Sequence, residues 1–277
     1  MNNLLLYALA VPLFSASGGL AALRVFGNGH CPAWLGRGLA ALGLCFGGLG
    51  LYGVLFQPDG LHFGFVTGLM CVMWVASLAA FAEGFAAPVA VQEMVLFPLC
   101  GLVFSLPFFA PQESVLPVSG AWMFRLHLVV AIAAYSLLGI AALHAGIMAW
   151  QEKVLHRPAH DSGRRFQERL LDQLPSLVAM ESTLFRQLWA GFVLLSFTLL
   201  TGVVFAERWS GQALAFDHKT VFAVVSWVSF ACLLGGRLLA GWRGRQALRW
   251  CLGSYAVLVL AYFGTQFVFE FILKQGV

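Results

Sequence analysis

Charge is what this sequence has least of. Only 10% of its 277 residues are Asp, Glu, Lys or Arg, and 60% belong to the AVILMFWYC group. Mean hydropathy is +0.85. A soluble domain is about 25% charged and roughly 45–50% apolar, so one buried core cannot hide this much apolar surface. A soluble enzyme, a disulfide-stapled secreted domain and a disordered chain are excluded. Continuous apolar runs, with no alternation, disfavour a β-barrel. There is no CxxC pair and no CxxCH. The six cysteines (Cys31, Cys45, Cys71, Cys100, Cys232 and Cys251) therefore read as small hydrophobes, and covalent haem is ruled out. No Walker sequence, HExxH, GxSxG or Gly-rich dinucleotide turn is present, which disfavours an enzyme with its own catalytic motif.

What is present is long apolar runs. A bilayer span takes about 20 apolar residues, so eight helices would use about 160 positions, close to the whole hydrophobic content. The runs predict an all-α polytopic membrane protein, a single integral domain over residues 1–277. Its eight spans fall at approximately 4–23, 34–56, 63–82, 91–110, 122–151, 184–206, 219–240 and 247–272. Pro98 and Pro107 predict a kink or break in the fourth. The start, Met1-Asn2-Asn3, lacks a basic n-region and reads as leading into a retained first span. Gly43 and Gly47, followed by Gly50 and Gly53, suit close helix packing.

Orientation follows from basic residues in short loops. Arg24 and Arg37 flank the first loop. Lys153, Arg157, Arg164, Arg165 and Arg169 occupy the loop after span five, and Arg237, Arg243, Arg245 and Arg249 that after span seven. All three lie inside if both termini lie outside. Residues 152–183 are then a basic cytoplasmic loop, whose FQERLL piece, Phe166 to Leu171, predicts a short amphipathic helix at the membrane surface. The basic clusters report orientation, and no nucleic acid is expected as a partner. The loop with Glu83 and Glu93 also lies inside but has no basic residue of its own.

Ionisable residues inside the spans are few. No span carries facing carboxylates or an Arg series, which argues against a proton pump or voltage sensor. A transporter reading lacks charged midplane residues and clear inverted repeats. The histidines remain. His30, His156 and His160 read as solvated loop residues. His62, His127 and His218 each stand at the outward mouth of a different span. Three imidazoles at one depth can converge on a metal or haem iron, although interfacial polarity alone would also put histidines there. His127 and His144 are 17 residues apart on one helix, about 25 Å, so they cannot share an iron. His144 is expected to hydrogen-bond within the bundle. Trp209 and Phe216 could form an apolar platform, with Lys219, Arg208 or Arg125 as anion partners. An ordinary aromatic belt would also account for Trp209.

Spans five to eight resemble the cytochrome c assembly family of haem-handling membrane proteins (the CcsA/CcmC/HemX superfamily), closest to its YpjD-type inner-membrane members. The resemblance runs through HLVVAIAAYSLLGIAALHAGIMAWQE from His127, LPSLVAMESTLFRQLWAGFVLLSFTLLTG from Leu174, and residues 216–263. In the last stretch Asp217, Lys219, Trp227, Arg237 and Gly241-Trp242-Arg243-Gly244 stand at matching positions. Earlier residues match in span pattern alone. The resemblance implies non-covalent haem b at the outward face, beneath a Trp-rich loop, with flanking histidines as axial ligands. His127 matches the histidine that opens the span before that loop, and His62 stands where the family often has another. Of the Trp-rich loop Trp209 remains. Phe216 replaces the Trp before Asp217, and His218 stands where the family has Pro. Gly235 and Leu273 stand where the family has histidines.

The expected cofactor-binding set is therefore His127, His218, Trp209, Phe216, Asp217, Lys219 and His62, with His127 and His218 on the iron. The expected protein is a non-enzymatic, multi-pass protein of the bacterial inner membrane. It holds haem for cytochrome c biogenesis or a related haem process, alongside assembly components or another membrane protein. The alternative is a haem-free accessory or regulatory protein that acts through a partner membrane protein, with the basic loop as its contact.

Overall fold

The computed structural model describes residues 3–27, 32–56, 61–85, 90–109, 115–116, 122–156, 164–210 and 218–264. Helices dominate. They are α1 (Asn3–Phe26), α2 (Ala33–Leu55), α3 (Phe65–Glu83), α4 (Ala90–Ser105), α5 (Trp122–Leu155), α6 (Arg164–Asp172), α7 (Leu177–Ser210), α8 (His218–Ala240) and α9 (Gly244–Val259). A 3-10 turn, Leu106–Phe108, follows α4, and a π turn, Leu260–Gly264, follows α9. Among the described residues the one departure from helix is a two-residue antiparallel pairing that the apolar runs did not predict. Here β1 (Leu61–His62) meets β2 (Val115–Leu116), with His62 opposite Val115.

Among the described residues seven helices are long and apolar enough to cross a membrane, and the chain is a multi-pass membrane protein. The eighth expected span, 247–272, begins as α9, which has 16 residues and opens on Arg245 and Arg249. The polar stretch between spans five and six is shorter than expected. α5 runs on to Leu155, and α7 starts at Leu177 instead of 184. Pro175 bars an earlier start, and Ser176 Oγ accepts the Ala179 N–H at 3.3 Å as a cap.

Large apolar side chains face outward along the spans, among them Leu49, Leu102, Leu200 and Leu239. In water such a surface would aggregate; in a bilayer it is the solvated face. The interior holds two main apolar clusters. One joins α1 to α4 around Tyr7, Phe14, Met70, Phe97 and Phe104. The other joins α5, α7, α8 and α9 around Leu138, Leu188, Phe230, Leu233 and Leu258. α5 lies in the seam between them. Its Phe124, Leu128 and Ile132 pack on the first cluster. Its Ala134, Leu138, Ala141, Ala145 and Met148 belong to the second, and that spacing of three and four residues marks one helix face.

The glycines of α2 make room for aromatic rings. A Cβ at Gly43 would lie 3.1 Å from Phe14, one at Gly47 2.9 Å from Phe104, and one at Gly50 would overlap Tyr7. α4 continues through Pro98 to Ser105, and the α-helix gives way to a 3-10 turn at Pro107. The Pro98 ring fits against Gly18 of α1, where any Cβ would overlap it. α1 likewise runs unbroken through Pro12. Neighbouring helices can absorb an intramembrane proline in this way.

Successive helices alternate in direction, so two ends can be told apart. The strand end holds β1 and β2, the starts of α1, α3, α5 and α8, and the end of α7. The α6 end holds α6, the ends of α1, α3, α5 and α8, and the starts of α2, α4, α7 and α9.

Candidate functional site

The helix directions put His62, His127, Trp209, His218 and Lys219 all at the strand end. His62 sits in β1, Trp209 in the last turn of α7, and His218 and Lys219 open α8. The side chains of these four residues, and the whole of Phe216 and Asp217, lie outside the described residues. His127 is the expected ligand whose surroundings can be read in atomic detail.

His127 lies in the second turn of α5, half-buried against α7. Its Nδ1 is 2.9 Å from Thr201 Oγ1. The Thr201 hydroxyl is itself 2.8 Å from the Phe197 carbonyl and 3.1 Å from that of Thr198. A hydroxyl has a single proton; with that proton on a helix carbonyl, Thr201 Oγ1 accepts from the His127 Nδ1–H. In that tautomer Nε2 keeps its lone pair, the state in which imidazole ligates a metal, with the second nitrogen anchored to an orienting group. Gly202 keeps the neighbouring surface flat; a Cβ there would lie 3.4 Å from the ring. Thr201 went unnoticed in the sequence because threonine is common in spans and its pairing depends on how two helices meet.

A small cleft, about 50 Å³ inside its walls, opens in the seam. It is lined from α3 and the residue before it (Phe63, Gly68, Val72), from α5 (Leu128, Ala131, Ile132, Tyr135) and from the π turn (Tyr262). The lining is apolar and aromatic, and the Tyr135 hydroxyl is engaged by the Leu258 carbonyl at 3.0 Å.

The α6 end is polar and tightly paired. Arg24 of α1 meets Glu93 of α4 at 2.8 Å, with the Glu93 side chain only 4% exposed. Arg37 donates to the Gly84 carbonyl and lies 5.1 Å from the Phe85 ring centre. Glu93 of this loop thus finds its basic partner on another helix. His144 bonds within the bundle, as expected. Its Nδ1 is 2.8 Å from Gln187 Oε1, Gln187 donates to Glu83, and Gln92 donates to the other Glu83 oxygen at 3.5 Å. This chain links α5, α7, α3 and α4 across the seam. α6 docks over the same end, with Leu170 packed near Val25 and Val91 and Arg169 donating to the Phe26 carbonyl at 2.6 Å.

The other positions that carried the family resemblance hold helices together. Trp227 donates to Ser196 at 2.8 Å and stacks on Phe192. Arg237 pairs with Glu181 and lies 4.4 Å from the Phe185 ring centre. In the Gly-Trp-Arg-Gly turn, Gly241 and Gly244 take φ of 64° and 56°, where a side chain would be strained. Trp242 folds back onto Gly236 and donates to its carbonyl at 3.1 Å.

Among the described residues no group of three His, Cys, Asp or Glu could hold a metal ion. The groups that fit haem are therefore a single oriented imidazole and an apolar cleft.

A family model described as cytochrome C assembly protein matches residues 35–273. Inner membrane protein YpjD of Escherichia coli (strain K12) is 28% identical over 168 residues, 61% of this chain and 60% of that protein. A 28.8 kDa protein of Azospirillum brasilense is 33% identical over 154 residues, 56% of this chain and 54% of its own length. Cytochrome c biogenesis protein CcsA of Prochlorococcus marinus (strain MIT 9515) is 29% identical over 107 residues, 39% of this chain and 34% of that protein. The chain thus spans 54–60% of the first two of these relatives and a third of the last.

Proposed function

The chain belongs to the cytochrome C assembly protein family, and from that premise we propose that it holds haem b non-covalently at the strand end, for cytochrome c biogenesis or a related haem process. His127 is one axial ligand through Nε2, and His218 is the second. Trp209 and Phe216 flank the ring, Lys219 pairs with a propionate, and Asp217 and His62 complete the surroundings. Bound haem supplies an iron centre that takes two imidazoles; the chain's residues bind and orient it and make or break no covalent bond.

The observation that carries this reading is the His127–Thr201 pair at 2.9 Å, which anchors an imidazole through Nδ1 at the end where the other expected ligands gather. The similarity to a cytochrome c biogenesis protein supports the haem assignment. We place eight spans in a bacterial cytoplasmic membrane, with both termini and the strand end outside and the Arg-rich α6 end inside. The inner membrane protein relative supports that location. Assembly components or another membrane protein are the expected partners. In a purely accessory protein the loop between α5 and α7 would be the partner's contact, yet α6 spends its apolar face and Arg169 on this bundle.

The test is the absorption spectrum of the protein purified in detergent from haem-replete cells. A Soret band that disappears in the His127→Ala, His218→Ala double variant is the expected result. A folded wild-type protein without haem would overturn the proposal and leave the accessory role.

A further inference from the structure

The cleft and His127 are neighbours along α5. Residues 127 and 131 stand one turn apart on the same face of α5, and Ala131 lines the cleft. Leu128, beside His127 in sequence, lines it too. Phe63 precedes α3 and Tyr262 follows α9, so the cleft lies at the strand end, in the seam between the two apolar clusters.

We infer that this cleft receives the apolar edge of the iron porphyrin ligated by His127; the inference rests on the haem reading above. Three properties select that occupant. The cleft wall at Ala131 stands one helical turn from His127 on α5. Its walls are rings and aliphatic groups, with the Tyr135 hydroxyl already bonded to Leu258, so nothing in it recognises charge. Small residues, Gly68 and Ala131, keep it narrow; a Cβ at Gly68 would lie 3.2 Å from Tyr262 and 3.3 Å from Phe63. The space inside it is only about 50 Å³, so it takes no more than one edge of a flat ligand and leaves the carboxylate edge outside.

The experiment fills the cleft. Ala131→Phe puts a ring into it, and Val129→Phe adds the same bulk on the exposed face of the same helix. Full-length proteins are purified from haem-replete cells, checked for folding by thermal unfolding, and read for Soret absorbance and for binding of metal-free protoporphyrin by fluorescence. The expected result is about tenfold weaker porphyrin binding and loss of most of the Soret band in Ala131→Phe, with Val129→Phe like wild type. Metal-free porphyrin should still bind His127→Ala, because the cleft needs no ligation. If Ala131→Phe does not fold, Val72→Ala, which widens the cleft, should keep haem and accept a bulkier porphyrin. Equal haem and porphyrin binding by wild type and Ala131→Phe would overturn the cleft assignment and leave the haem reading standing. Phospholipid displaced by Ala131→Phe while haem is kept would do the same. A folded wild type that takes neither haem nor porphyrin would overturn the haem reading itself.

Discussion

The two ends of the bundle hold the same seam in opposite ways. At the α6 end, α3 and α4 are tied to α5 and α7 by the His144–Gln187–Glu83–Gln92 chain, and α1 is tied to α4 by Arg24 and Glu93. At the strand end the seam opens into an apolar cleft beside an oriented imidazole. Both ends carry a histidine of α5 whose Nδ1 is anchored on α7. One anchor is a glutamine that passes the bond on to a carboxylate. The other is a threonine that also reaches the carbonyls of its own helix. Both anchors hold Nδ1; what differs is the setting, a buried polar chain around His144 and an apolar cleft one turn from His127. Residue type alone does not separate a structural histidine from a ligating one here.

Breaking the fastened end should cost stability first. Arg24→Ala leaves Glu93 buried and unpaired, and is expected to destabilise the protein by about 3–5 kcal/mol, read as a fall in thermal midpoint in detergent. Replacing both partners by apolar residues should recover most of that loss. Gln187→Leu strands both the His144 Nδ1–H and one Glu83 oxygen and should cost about 2 kcal/mol, with haem content per folded protein unchanged. If either change lowers haem binding in protein that remains folded, the two ends are not independent.

At the strand end the expected effects reverse. Thr201→Val keeps the shape and removes the acceptor that orients His127, so haem affinity should fall about tenfold while the thermal midpoint of the haem-free protein hardly moves. A spectrophotometric haem titration reads this, and an unchanged affinity would break the link between tautomer and ligation. The smallest effect belongs to Arg245→Ala. Its pair with Glu152 has Arg245 60% exposed, and its loss should change stability by less than about 1 kcal/mol.

Run length made the helices legible in the sequence, because only an apolar run near bilayer thickness could be a span. How Pro98 is housed in α4 was not legible there, because it depends on Gly18 of another helix, 80 residues away. The polar chain was hidden for the same reason. Gln187 and Glu83 are 104 residues apart, and neither forms a motif. His127 stood out through position and family resemblance, whereas its anchor needed the Thr201 geometry. The Gly-Trp-Arg-Gly match pointed to the family but belongs to the turn between α8 and α9, at the end away from His127. A family-matching residue therefore marks the fold as readily as the site.

The most direct test of the account is chemical rescue of the His127→Gly variant, followed by absorption spectroscopy on protein from haem-replete cells. Loss of the wild-type Soret spectrum and its return on adding free imidazole are the predicted results. An unchanged Soret spectrum in His127→Gly would contradict the account, because the imidazole that Thr201 orients would then not be the ligand.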